Sequence, residues 1–194
     1  MNRIIRLVGI AVCAALPVVS QAQTSTARPI SFGVMGGASV PVGDFGDGAD
    51  LGFTLGAHLL LAPTSMPALG FRVDATYDRW ALKGVGASIV DGNSSTLGLM
   101  GNVILKSSSA MTIKPYVIGG LGLLSSNTSG SVGGVNFSGD RANNLGVQAG
   151  GGLEFQLSGF TTFIEAKFVN AFAKDGNNDR RSVNWIPVTF GVRF

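Results

Sequence analysis

The chain has 194 residues, of which 45% are hydrophobic and 13% charged, with 29 glycines, one cysteine and a formal net charge of +3. The charged share is about half the usual ~25% and the glycine share about twice the usual ~7%, while mean hydropathy is +0.36. So weak a positive charge gives no case for a nucleic-acid binder, and a single cysteine excludes a disulfide framework or a thiolate metal centre.

Residues 1–22, MNRIIRLVGIAVCAALPVVSQA, have the form of a secretory signal peptide. Arg3 and Arg6 precede an apolar stretch from Leu7 to Val19, and Ser20-Gln21-Ala22 places small residues where a signal peptidase reads. Cys13 lies within the apolar stretch and follows the bulky Val12, which disfavours a lipoprotein. Residues 23–194 are then one domain, in which 12 basic residues (14 less Arg3 and Arg6) face 11 acidic ones. No run of 18 apolar residues follows, so no helix of that part is expected to cross a membrane.

From residue 30 the chain reads at period two. Ile30, Phe32, Val34, Gly36, Ala38 and Val40 alternate with Ser31, Gly33, Met35, Gly37 and Ser39. Leu51 to Leu61 does the same, with Thr54, His58 and Leu60 on the other face. Phe71, Val73, Ala75 and Tyr77 alternate with Arg72, Asp74, Thr76 and Asp78. Leu97 to Leu105 and Val117 to Leu123 follow, then Leu145 to Phe155 opposite Gly146 to Gln156. Ile164, Ala166 and Phe168 alternate with Phe163, Glu165 and Lys167. The last strand sets Ile186, Val188, Phe190, Val192 and Phe194 against Trp185, Pro187, Thr189, Gly191 and Arg193.

These are eight expected strands of about 10 to 12 residues, matching the ~9 to 11 that a tilted membrane strand needs. The connections alternate: short at 63–68, 107–112 and around Ser158-Gly159, long at 41–50, 81–94, 125–142 and 173–183. The pattern predicts an all-β, eight-stranded antiparallel up-and-down transmembrane β-barrel with both termini at the short-turn, periplasmic rim. The apolar face is expected outward, with Phe32, Phe71, Phe155 and Phe194 in one aromatic belt and Phe53, Tyr77 and Phe172 in the other. Asn170 also falls outward, Phe163 inward, and Pro187, which has no N–H to give, at a rim or a bulge.

The stretches GDF (43–45), PYVIGGLGL (115–123), GGGLEF (150–155), FIEAKF (163–168) and the terminal VTFGVRF resemble the small outer-membrane β-barrel family of OmpA/OmpX type. The resemblance spans nearly all of residues 23–194 and implies a non-enzymatic envelope protein, a membrane anchor that presents surface loops in an adhesion-type or surface-protection role. It also implies that Phe190, Val192 and Phe194 form the assembly signal read by the barrel assembly machinery. Outer-membrane lipid and lipopolysaccharide are the further expected partners, and, unlike full-length OmpA, no appended peptidoglycan-binding domain is expected.

The inward charges Arg72, Asp74, Glu154, Glu165, Lys167 and Arg193 are expected at similar depth in the periplasmic half, as a structural plug or as the lining of a narrow channel. His58 is the only histidine. Ser39, Asp74 and Asp78 are its possible neighbours in a hydrolytic site, against a plain lumen residue. No Walker spacing accompanies the glycine runs, and neither cofactor nor metal is expected, although 44–50 and 175–181 carry charges that suit calcium or lipid phosphate. The open alternatives are a narrow porin-like channel, a lipid-modifying enzyme, and a soluble periplasmic barrel with its apolar face inward.

Overall fold

The computed structural model describes residues 29–83, 90–107, 113–132, 135–139, 141–174 and 180–194. The expected signal peptide lies outside them. Among the described residues, nine strands and one short helix follow in order: β1 (Ile30–Val42), α1 (Asp44–Gly48), β2 (Gly52–Leu61), β3 (Leu69–Leu82), β4 (Val90–Lys106), β5 (Ile113–Val132), β6 (Val135–Ser138), β7 (Ala142–Gln156), β8 (Thr161–Lys174) and β9 (Arg180–Arg193).

Eight of the strands, all but β6, pair antiparallel with their neighbours, and β9 returns to pair with β1. The result is a closed up-and-down barrel. Closure satisfies every strand edge within the wall, which an open sheet cannot do. The seam finishes at the last residue: Phe194 N–H donates to Phe32 C=O (2.8 Å), and Phe32 N–H donates to Phe194 C=O (3.2 Å).

The period-two reading sets which side chains point in and out. Leu55 is 56% exposed and Leu121 67%, whereas the alternating Thr54 and Asp74 are at 2% and 0%. The outward wall is aliphatic, edged by aromatics. Phe194 packs against Phe32 and Phe160 with centroids at 5.7 and 6.5 Å. At the other rim Phe53 meets Tyr77 at 6.2 Å.

Three expectations change. Most strands run to between 13 and 20 residues, because several of the anticipated loops are strand. The stretch 81–94 contains the end of β3 and the start of β4, and most of 125–142 belongs to β5 and β6. The β4–β5 ladder continues from Thr96↔Ser126 to Val90↔Val132, roughly 20 Å of sheet at ~3.3 Å per residue. β5 then pairs with β6 from Ser129↔Ser138 to Val132↔Val135. Secondly, the first long connection carries α1 rather than a free loop. Thirdly, Pro187 sits at neither a rim nor a bulge. It pairs with Ser39 in mid-strand, and the β8–β9 ladder skips from Ala166↔Val188 to Val169↔Trp185 without changing register. The proline has no N–H to donate, so the ladder lapses there and resumes.

Candidate functional site

The barrel interior is filled, and its contents stack in layers. At the rim that holds Phe194, Glu154 accepts from Arg193 Nη1 (2.6 Å) and pairs with Lys106 Nζ (3.0 Å). Leu60, Ile104, Tyr116 and Ile118 form an apolar cluster beside it.

At mid-height lies a buried ion quartet. Arg72 Nε meets Asp74 Oδ1 at 2.7 Å, and its Nη2 donates to Glu165 Oε1 at 2.7 Å. Lys167 Nζ stands 3.1 Å from both Asp74 Oδ2 and Glu165 Oε1. Tyr116 Oη donates to the other Glu165 oxygen at 2.7 Å. Two cations and two anions cancel, and each carboxylate has several donors. A buried charge set needs both conditions to avoid a large desolvation penalty. The six expected lumen charges therefore divide into two groups at different depths instead of one. Arg72, Asp74, Glu165 and Lys167 form the quartet, whereas Glu154 and Arg193 belong to the rim with Lys106.

Beside the quartet, where it pairs with Asp74 across the β2–β3 ladder, His58 packs edge-on against Phe163 with centroids at 5.3 Å. Glycines make the room: a Cβ on Gly33 would stand 2.6 Å from His58 Cε1, and one on Gly191 would stand 2.5 Å from Phe163 Cε1. Both His58 ring nitrogens are buried without a hydrogen-bond partner. Ser39 Oγ donates instead to Asp78 Oδ1 at 3.1 Å, and Asp74 is held by Arg72 and Lys167. The candidate histidine, serine and aspartates are thus not connected as a nucleophile, base and orienting acid.

Next to the quartet, where Asn102 pairs with Arg72 across the β3–β4 ladder, Gln148 Nε2 donates to Asn102 Oδ1. A cavity of about 10 Å³ between Asp78, Lys167, Gln148 and their neighbours is near the size of one water. Next comes an aromatic stopper. Trp80 meets Trp185 edge-on at 5.4 Å, and Phe45 of α1 meets Trp80 at 5.1 Å. Ala49, Met100, Leu124, Val169 and Ala171 belong to the same cluster. The helix is tied down by Lys83 Nζ donating to Gly46 C=O (2.8 Å) and by Asp50 N–H donating to Ala81 C=O (2.9 Å).

The three terminal residues singled out from sequence share one face. Phe190 is exposed on the outer wall, Val192 is half-buried, and Phe194 ends the seam.

No protein-family model matches the chain, and no curated protein matches it by sequence. Solved structures do match it in fold. Neisserial surface protein A aligns with TM-score 0.56 and 17% identity, over 86% of this chain and 96% of that one. A major outer membrane protein from Thermus thermophilus aligns with TM-score 0.55 and 12% identity, over 86% of this chain and 99% of that one. The chain shares their barrel architecture.

Sequence reasoning missed Lys106, which extends the inward parity of Asn102 and Ile104 by one step. It also missed the stopper. Trp80 lies on the parity of Asp78, and Trp185 faces away from the apolar side, but parity says nothing of what meets across a lumen. Phe45 stands out in the sequence only as part of the GDF stretch.

Proposed function

We propose that the chain is an integral outer-membrane protein whose barrel is an occluded, non-enzymatic anchor and whose activity resides in the polar hairpins above it. The observation that carries this reading is the inversion of polarity across the wall. Side chains such as Leu55, Leu121, Leu145 and Phe190 cover the outside while Arg72, Asp74, Glu165 and Lys167 are buried inside. An apolar surface running round a whole barrel far exceeds the few hundred Å² that soluble monomers expose.

The outward apolar run on β5 from Ile113 to Leu123 covers about 25 Å of height at ~3.3 Å per residue and ~40° tilt, the thickness of an outer-membrane apolar band. Above it the outward residues of β4 and β5 change to Asn93, Ser95, Ser125 and Asn127, the side chains of a wet surface. Neisserial surface protein A is a surface protein by name, which suits hairpins that reach beyond the apolar band. The ion quartet and the aromatic stopper in series argue against the channel reading. In this account the signal peptide exports the chain, and the assembly machinery reads Phe190, Val192 and Phe194. Lipopolysaccharide surrounds the wall, and the hairpins meet a surface ligand.

The test is electrophoresis of the membrane-extracted protein with and without boiling. A mobility shift on boiling, together with recovery in the outer-membrane fraction, supports the reading. A protein that stays in aqueous solution without detergent and shows no shift refutes it.

A further inference from the structure

Asp78 stands apart from the other lumen carboxylates. Asp74, Glu154 and Glu165 each meet two cations directly. Asp78 is 3% exposed, and among the described residues no ion pair reaches it. Its direct partners are neutral hydroxyls: Ser39 Oγ donates to Oδ1 at 3.1 Å, and Thr54 lies within hydrogen-bonding reach. A carboxylate so buried calls for more, because its desolvation is offset only where opposite charge and hydrogen bonds both meet it.

Trp185 has the complementary deficit. It is 2% exposed, and its Nε1 is buried without a hydrogen-bond partner, although it lies beside the Asp78 carboxylate. Trp80, the other half of the stopper, is satisfied: its Nε1 donates to Ser39 C=O at 3.2 Å. A buried donor left unpaired costs stability.

Asp78, Trp185 and Lys167 all line the cavity of about 10 Å³, together with Thr54, Thr76 and Thr189. This is close to the least volume that holds one water, and an organic ligand does not fit. Chemistry selects among the small occupants. A metal cation would face the Lys167 ammonium and the Trp185 N–H. A chloride would face the Asp78 carboxylate. A water accepts from both donors and donates to the carboxylate, which gives it the partners that fix a buried water.

We infer that this cavity is a binding site for one ordered water, which accepts from Trp185 Nε1 and Lys167 Nζ and donates to Asp78. Through it Asp78 shares a cation of the quartet. Polar contacts then run without a break from Trp80 through Ser39 and Asp78 to Lys167, Glu165, Arg72 and Tyr116. A bridging water serves nearly as well as a direct hydrogen bond, so the water joins the stopper to the quartet. The inference concerns the lumen and goes beyond the anchor reading.

The experiment uses the membrane-extracted protein, nitrogen-15 labelled, in detergent micelles. Its two tryptophans give two indole N–H signals, which Trp185→Phe assigns by removing one. Rotating-frame cross-relaxation to the water frequency is read at both. The expected result is a dipolar cross-peak at Trp185 and none at Trp80. Thr54→Val, which removes a hydroxyl proton that could relay exchange, should keep the peak. Thr76→Ile, which fills the cavity, should lose it in protein whose boiling-dependent shift shows that it folds. No dipolar peak at Trp185, equal peaks at both indoles, or a peak that persists in folded Thr76→Ile overturns the inference. A crystal structure gives an independent reading that needs no variant. It should show one density peak roughly 2.7 to 3.2 Å from Trp185 Nε1, Lys167 Nζ and an Asp78 oxygen. Anomalous signal there from soaked rubidium or bromide, or a Trp185 that donates directly to Asp78 with no peak between, overturns the inference.

Discussion

Replacing Glu165 by leucine should be among the most damaging single changes in the barrel. Glu165 is 1% exposed. Its carboxylate accepts from Arg72 at 2.7 Å, Lys167 at 3.1 Å and Tyr116 at 2.7 Å. Glu165→Leu leaves two buried cations sharing Asp74, a net charge in the lumen, and breaking such a set from one side costs ~3 to 5 kcal/mol. The stranded Tyr116 hydroxyl adds ~1 kcal/mol. Removing a cation as well restores neutrality. In Glu165→Leu/Lys167→Met the Arg72–Asp74 pair survives through two contacts, at 2.7 and 2.9 Å. Apolar replacement of a whole ion pair is often neutral or better, so the double variant should cost only ~1 to 2 kcal/mol, chiefly the Tyr116 hydroxyl. The assay is urea unfolding in detergent micelles, followed by the fluorescence of Trp80 and Trp185, the two tryptophans of the chain. A single variant that loses less than ~1 kcal/mol would refute the reasoning, as would a double variant whose cost equals the sum of the two single ones.

Deleting Phe194 removes the two backbone hydrogen bonds to Phe32 and the ring contacts to Phe32 and Phe160. This should cost ~2 to 3 kcal/mol in the same unfolding assay and lower the yield of heat-modifiable protein in cells; a wild-type midpoint would contradict it. His58→Leu should be neutral or stabilising by ~1 to 2 kcal/mol, because two unpartnered buried nitrogens disappear. A clear loss of stability would show that the imidazole has a polar task. In planar bilayers the protein should show no unitary conductance steps. Phe45→Ala should stay closed too, since Trp80, Trp185 and the ion quartet remain; discrete steps from either protein would return the channel reading.

What the sequence could disclose followed from local alternation. The run from Leu97 to Leu105 declares a strand and its two faces because each residue contrasts with the next. The same logic placed Phe163 and Asn170 correctly despite their unexpected polarity for those faces. It faltered where that contrast vanished. Ser125 to Ser131 continues β5, but an all-polar strand looks like a loop when no apolar face marks it. It faltered again where the answer lay across the lumen. Asp74 and Glu165 are far apart in the chain, and their shared cations depend on register and barrel closure, which period-two reading leaves undetermined. Pro187 shows a third limit. A proline normally argues against an interior strand, yet the continuous β1–β9 ladder carries β9 through the two-pair gap in its pairing with β8.

The central claim is that the apolar face of the wall meets lipid while the alternate face is packed inside. Since the only cysteine of the chain is Cys13, single cysteines at residues 117 to 129 can each carry a spin label in a clean background. In vesicles, labels at Val117, Gly119, Leu121 and Leu123 should be accessible to oxygen dissolved in lipid. Labels at Ile118, Gly120, Gly122 and Leu124 should be protected, and from Ser125 to Ser129 a water-soluble relaxation agent should take over. Water-soluble access throughout 117 to 123, or protection at the odd positions in place of the even ones, would contradict the account.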